Sequence, residues 1–290
     1  MTEPDWLAED FERNRIRLRA VAYRMLGSLA EADDAVQEAW LRASRAGADG
    51  IDSIDAWLTT IVVRVCLNVL RARKSRREEF MGVHVPDPVI SHPDGVTPED
   101  AALLADAVGL ALQVVLETLA PAERVAFVLH DMFDLPFDEI APTVGRTPAA
   151  ARQLASRARR RVQGTEVADP DVSGQQEVVE AFFAAAHEGE LNGLIAVLDP
   201  DVVLRSDEGA ASVVTVHGAA AVAGRAVMFG QRRGAIVRPA LVNGAAGVVV
   251  TVDGRPVSVM GFTVVQSKIV EINVMADPSR LGRLDLTVLG

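Results

Sequence analysis

Apolar positions fall into two textures along the chain. Up to about residue 163 they recur at three- and four-residue spacing, the period of helices with one buried face. Between Ser53 and Arg73 they are Trp57, Leu58, Ile61, Val62, Val65, Leu67, Val69 and Leu70. Between Glu31 and Ala43 the packing positions are Ala35, Val36, Ala39 and Trp40, and the i,i+4 pairs Asp33/Gln37 and Asp34/Glu38 point elsewhere. Ala120 to Phe133 reads as a further helix, Leu135 to Val144 as a short one, and Gly145 as a turn. Thr147 then stands where an N-cap belongs and Pro148 at the first helical position, which predicts a helix over Pro148 to Val162.

Beyond Gln175 the texture changes. After a helix near Glu177 to Glu188 come short runs rich in Val and Thr, broken by Gly, Asn and Asp: 202–206, 212–216, 237–242, 247–252, 256–266 and 268–274. They predict an antiparallel sheet, with Asp253-Gly254 as a hairpin turn. The fold class is therefore multidomain, two all-α parts followed by an α+β domain. Gly82 to Pro98, with Pro86, Pro88, Pro93 and Pro98, reads as a linker, and Gly164 to Gly174 as a second one.

Charge sharpens this outline. The formal net charge is −11, yet from Ile140 to Thr165 there are Arg146, Arg152, Arg157, Arg159, Arg160 and Arg161 and not one carboxylate. An acidic chain that gathers cations on one helix after a capped turn has the outline of a helix-turn-helix aimed at a polyanion. A solvated basic face is the plainer alternative. In a major-groove helix the N-terminal half faces base edges, which singles out Ala149, Arg152, Gln153 and Ser156, while Arg157, Arg160 and Arg161 suit phosphates. A second basic set, Arg64, Arg71, Arg73, Lys74, Arg76 and Arg77 with the neutral Asn68 among them, follows the third helix to its end, where cations also suit the helix dipole.

Other chemistry is sparse. Cys66 is the sole cysteine, so no disulfide can form within the chain, and His84, His92, His130, His187 and His217 show no metal-ligand spacing. No cofactor or metal is expected. The acidic start, Met-Thr-Glu-Pro-Asp, is unlike a secretory signal and no apolar run is long enough for a bilayer, so a cytoplasmic protein with no membrane partner is expected.

Several segments together carry a resemblance. Arg24 to Ser28 with Glu31 to Arg42, Ala56 to Ile61 with Arg64 to Arg77, Leu119 to Leu129, and Ala149 to Arg161 resemble, in order, regions two and four of an extracytoplasmic-function (ECF) sigma factor. Residues 175 to 290 resemble the SnoaL-like C-terminal domain of the sigma factor J type. Places corresponding to that subgroup's signature elements read Val85 to Pro88 after His84, Asp207 to Ala211, and Ala276 to Leu281. The resemblance implies region two at 1–80, the linker at 81–98, region four at 99–164, a linker at 165–174 and a SnoaL-like cone at 175–290. It implies no enzyme but an initiation factor with core RNA polymerase, through its clamp helices and flap, and promoter DNA as partners. Asp33, Asp34, Gln37 and Glu38 would meet the polymerase. Arg64, Asn68, Arg71, Arg73, Lys74 and Arg76 would hold the melted element, and the helix-turn-helix, Arg146 included, would read the upstream element. Asp207, His217, Asp277 and Leu281 are the candidates for regulation by the tail, which also leaves room for a small ligand. Two alternatives stay open: a ligand-responsive one-component DNA-binding regulator, and a SnoaL-like cyclase or isomerase, using Asp207 or Asp253, fused to a DNA-binding module.

Overall fold

The computed structural model describes residues 3–47, 50–51, 53–77, 85–93, 109–164, 168–209, 213–231, 233–284 and 286. They gather into two compact units. The first holds the described residues up to Arg77 and those from Val115 to Gly164; the second holds Val85 to Pro93, Gly109 to Val114 and the described residues from Ala168 onward.

The first unit is helical, as the apolar spacing requires. Helices α1 (Glu3–Leu26), α2 (Leu29–Ala46) and α3 (Ile54–Arg77) form one group. Gly27 takes a left-handed φ of 66°, and Ser28 caps α2 by accepting from the Glu31 amide. The buried stripe of α2 is mostly alanine (Ala32, Ala35, Ala39, Ala43, with Val36), so neighbouring helices can approach closely. Helix α3 buries Leu58, Val62, Val63, Val65, Cys66, Leu67 and Leu70. Burial pushes the Cys66 thiol up to about 12, which keeps it protonated and inert at neutral pH.

Helix α4 (Leu110–Thr118) straddles the division between the units. It is followed by α5 (Pro121–Phe127), a single π-helical turn (Val128–Met132), α6 (Phe137–Val144) and α7 (Pro148–Val162). Gly145 supplies the left-handed turn at φ 68°, and the Thr147 hydroxyl accepts from the Ala150 amide at 3.3 Å. The predicted bounds of α7 hold because every signal that sets them is local. The helix expected over 120–133 runs over 121–132, its last five residues in π geometry.

The second unit is α+β. Helices α8 (Val172–Glu188), α9 (Leu191–Val197) and α10 (Ala219–Gly230) cover a seven-stranded sheet. Its strands are β1 (Ile90–Ser91), β2 (Leu198–Asp207), β3 (Val213–His217), β4 (Ala235–Val242), β5 (Ala245–Val252), β6 (Arg255–Val265) and β7 (Lys268–Met275), in the order β1-β4-β5-β6-β7-β2-β3. The sheet is mixed: β2 runs parallel to β7, which corrects the all-antiparallel expectation. A short helix, α11 (Pro278–Leu281), follows. Among the described residues no helix is long and apolar enough to cross a membrane.

Both faces of this sheet are apolar. On one, Val179, Phe182, Leu194 and Val222 from the helices pack with Leu204, Val248, Phe262, Ile269 and Ile272. On the other, Val85, Ile90, Leu110 and Leu281 cover Ala240, Val242, Val249, Val259 and Met275. The Pro-rich stretch read as a linker thus lies, over residues 85–93, on the sheet: Ile90 pairs with Val242, Ser91 with Leu241, and the Val89 amide donates to Asn243 Oδ1. Its remaining positions, His84 among them, lie outside the described residues.

Among the described glycines, Gly247 sits in the tightest place. A Cβ there would sit 2.4 Å from Val242 Cγ2 and 2.6 Å from the Met260 carbonyl oxygen, so backbone would have to move. Gly247→Ala is expected to destabilise the second unit by about 1–3 kcal/mol. Urea denaturation together with hydrogen exchange in β4 and β5 checks this, and an unchanged midpoint with unchanged protection contradicts it.

Candidate nucleic-acid and polymerase interfaces

Helix α7 sorts its residues sharply. Ala151, Leu154, Ala155 and Ala158 are buried, so the i, i+3, i+4, i+7 stripe faces the unit's interior. Arg146, Ala149, Arg152, Gln153, Arg157, Arg160 and Arg161 are exposed and Ser156 half-buried. The expected readers Ala149, Arg152, Gln153 and Ser156 therefore share the outward half of the helix's first two turns.

The arginines are not equivalent. The exposed Arg152 guanidinium lies 5.2 Å from the ring centre of Phe137, a cation–π contact. Phe137 is itself backed by His130 at 3.9 Å between rings, and His130 Nδ1 lies 2.9 Å from the Leu135 carbonyl oxygen. Arg157 Nε donates to Glu123 Oε1 at 2.8 Å, Arg161 Nη1 donates to Glu123 Oε2 at 3.0 Å, and Arg159 pairs with Asp131. Among the described residues, Arg146 and Arg160 have no ion-pair partner. Two of the three expected phosphate contacts are thus held by an internal carboxylate. Sequence reasoning passed over Glu123, Asp131 and Phe137; their partners lie too far along the chain for any spacing rule to find.

The second basic set also divides. Arg64, Asn68, Arg71 and Lys74 are exposed on α3. Arg73 is turned inward: its Nη1 donates to the Leu26 carbonyl oxygen at 2.8 Å and its guanidinium pairs with Glu31, so it closes the C-terminus of α1. This differs from its expected place among the single-strand contacts, because an unsatisfied helix-end carbonyl is within its reach. The side chains of Arg76 and Arg77 lie outside the described residues. On α2, Asp33 is paired with Arg19 at 2.7 Å and Glu38 with Arg42 at 2.8 Å, while Asp34 and Gln37 are exposed.

The helix-turn-helix packs on the N-terminal helices through charged groups. Arg124 is 2% exposed; its Nη1 donates to the Met25 carbonyl oxygen at 2.8 Å and to Glu117 Oε1 at 2.7 Å. Arg24 lies 5.4 Å from the ring centre of Phe133.

In the second unit the regulatory candidates come together except one. Asp207, 1% exposed, accepts from the Gly209 amide through Oδ1 at 3.1 Å, and through Oδ2 from the Val85 amide at 3.3 Å and Arg280 Nη1 at 3.0 Å. Arg280 also donates through Nε to Asp87 at 2.8 Å and through Nη2 to the Val85 carbonyl oxygen at 2.7 Å. Asp277 caps α11, and the Ser279 hydroxyl foremost, with backbone amides and Arg280, holds its carboxyl below the usual range. Leu281 is buried in the second core. His217 is exposed on edge strand β3, apart from this cluster. A cavity of about 210 Å³ lies between α8 and β4 and β5, lined by Val179, Glu180, Phe183, Val237 and Pro239 among others. Among the described residues no three His, Cys, Asp or Glu side chains gather as metal ligands.

Comparison with known proteins agrees with this division. Residues 11–76 match the family model for sigma-70 region 2 and residues 109–162 that for sigma-70 region 4. The chain is 42% identical to the ECF RNA polymerase sigma factor SigJ of Mycobacterium tuberculosis over 72% of this chain and 67% of that one. It is 35% identical to the probable ECF RNA polymerase sigma factor SigI of the same species over 98% of each chain. The crystal structure of M. tuberculosis SigJ superposes with a TM-score of 0.76 at 37% identity, covering 96% of this chain and 99% of that one.

Arg124→Ala is expected to cost about 3–5 kcal/mol, because a buried ion pair and the donor to the Met25 carbonyl oxygen are both lost; replacing both Arg124 and Glu117 by apolar residues of similar volume should cost much less. Chemical denaturation of the single and double variants checks this, and equal losses would contradict it.

Proposed function

Because the chain belongs to the ECF RNA polymerase sigma factors of the sigma-70 family, we propose that its two helical regions hold one promoter at two places while the tail governs their access. As a member of that family it binds core RNA polymerase and directs promoter-specific initiation, and the one-component alternative is not favoured. Asp34 and Gln37, exposed and unengaged among the described residues, form the centre of the face offered to the basic clamp helices, with Asp33 and Glu38 at its margin. Such charge complementarity serves encounter and register. Arg64, Asn68, Arg71 and Lys74 take the melted strand, where phosphate neutralisation and an unstacked base are both needed. Arg152 and Gln153, with Ala149 and Ser156, read base edges of the upstream element, and Arg146 and Arg160 neutralise phosphates.

The tail is read as a regulator working in the cytoplasm. The observation that carries this is the bonding of Asp207. A catalytic base in an apolar cup needs a free carboxylate, whereas both oxygens of Asp207 are spent on Val85, Gly209 and Arg280. Its bonds instead fasten the segment that joins regions two and four. The cavity beside α8 is the place a small ligand would occupy.

Arg152→Ala is expected to relax selectivity at about one base pair of the upstream element, at a cost on the order of 1–3 kcal/mol. Equal loss on every sequence, in selection of bound promoters from a random library, would remove Arg152 from the readers. Run-off transcription with core polymerase tests the tail. Arg280→Ala, which frees residues 85–87 without removing the domain, should change promoter output several-fold relative to the full chain. Output equal to that of the unaltered protein would sink the regulatory reading.

A further inference from the structure

The carboxylate of Glu123 holds two arginines of the recognition helix at once. Its side chain is 8% exposed, whereas those of Arg157 and Arg161 are 48% and 55% exposed. Half-solvated ion pairs of this kind add little to stability. A carboxylate buried to this degree is nonetheless tolerable only while it is paired. Asp131, on the π turn, does the same to Arg159. Three of the four arginines in the C-terminal half of α7, Arg157, Arg159 and Arg161, therefore face two carboxylates of their own domain, while Arg152 and Gln153 face none among the described residues.

We infer that Glu123 is a specificity-determining residue: it holds Arg157 and Arg161 back from DNA phosphates, suppressing sequence-independent binding while leaving the base readers free. The inference rests on the reading of α7 as the DNA-contacting helix. Each phosphate neutralised by a cation contributes about 0.9 to the slope of log affinity against log salt. A bare cluster of arginines raises affinity for every sequence alike. An internal carboxylate that competes with phosphate for the same guanidinium groups removes that increment and leaves discrimination to the first two turns. Glu123 thus positions the cations that phosphates would otherwise recruit and itself touches no base.

The test uses the full chain with duplex DNA of scrambled sequence between about 50 and 200 mM salt, and holoenzyme with cognate promoter. Glu123→Gln, which keeps the shape and removes the charge, should steepen the salt slope by about one to two units. Its affinity for scrambled DNA should then change roughly tenfold more than that of the unaltered chain over that range. The ratio of cognate to scrambled affinity should fall. Asp131→Asn releases Arg159 alone and should steepen the slope by about one, which carries the test should Glu123→Gln fail to fold. Arg160→Ala should lower the slope by about one. If Arg160→Ala lowers the slope but neither carboxylate variant changes it, the inference is overturned and the helix assignment stands. If no variant, Arg160→Ala included, alters salt dependence, the DNA-contacting role of α7 falls with it.

Discussion

A sheet with two apolar faces needs two covers, and this requirement organises the second unit. Helices α8, α9 and α10 supply one cover. The other is assembled from pieces far apart in the chain: Val85 and Ile90, Leu110, and Leu281 with Leu284 and Leu286. At about 25 cal/mol for each Å² of apolar surface removed from water, no bare sheet face of this size would stay exposed. The Pro-rich segment is held on that face by more than contact, because Arg280 and Asp207 bind both polar groups of Val85 and the side chain of Asp87. The domain thereby holds part of the stretch that joins the region 2 and region 4 segments.

In the first unit the arginines are treated unequally. Arg73 closes a helix end, Arg124 is buried against Glu117, and Arg157, Arg159 and Arg161 are held by Glu123 and Asp131. Arg146 and Arg160 have no ion-pair partner among the described residues. The count of arginines on a helix therefore overstates the charge it presents, and carboxylates on the neighbouring helix set the difference.

What was legible in the sequence was local. Thr147, Pro148 and Gly145 fix α7 by capping and by a left-handed turn, each within a few residues of what it controls. Asp253-Gly254 marks its hairpin for the same reason, with φ of 50° and 74°, and Asn243-Gly244, passed over, is an equal signal at 51° and 79°. Helices α9 and α10 escaped notice because Leu191–Val197 is short and Ala219–Gly230 is apolar nearly all round, leaving no polar face to set a period. The parallel pairing of β2 with β7 depends on a crossover that no local pattern records. The Glu123 pairs span 34 and 38 residues and the Arg280–Val85 bond 195, so the wiring of both sites lay beyond any spacing argument. The Pro-rich composition correctly excluded a helix at 85–93, but Val85, Val89 and Ile90 were the sign that it would be buried.

The pairing of β1 with β4 has a consequence for how the protein is made. Ile90 leaves the ribosome long before Val242, and Val85 long before Arg280. During synthesis the early helices can form and pack while the joining segment still lacks its sheet. Such distant closures are slow because the intervening chain must be ordered first. A nascent chain therefore passes through an interval in which both helical regions exist while the segment that joins them in sequence has not yet paired with its sheet.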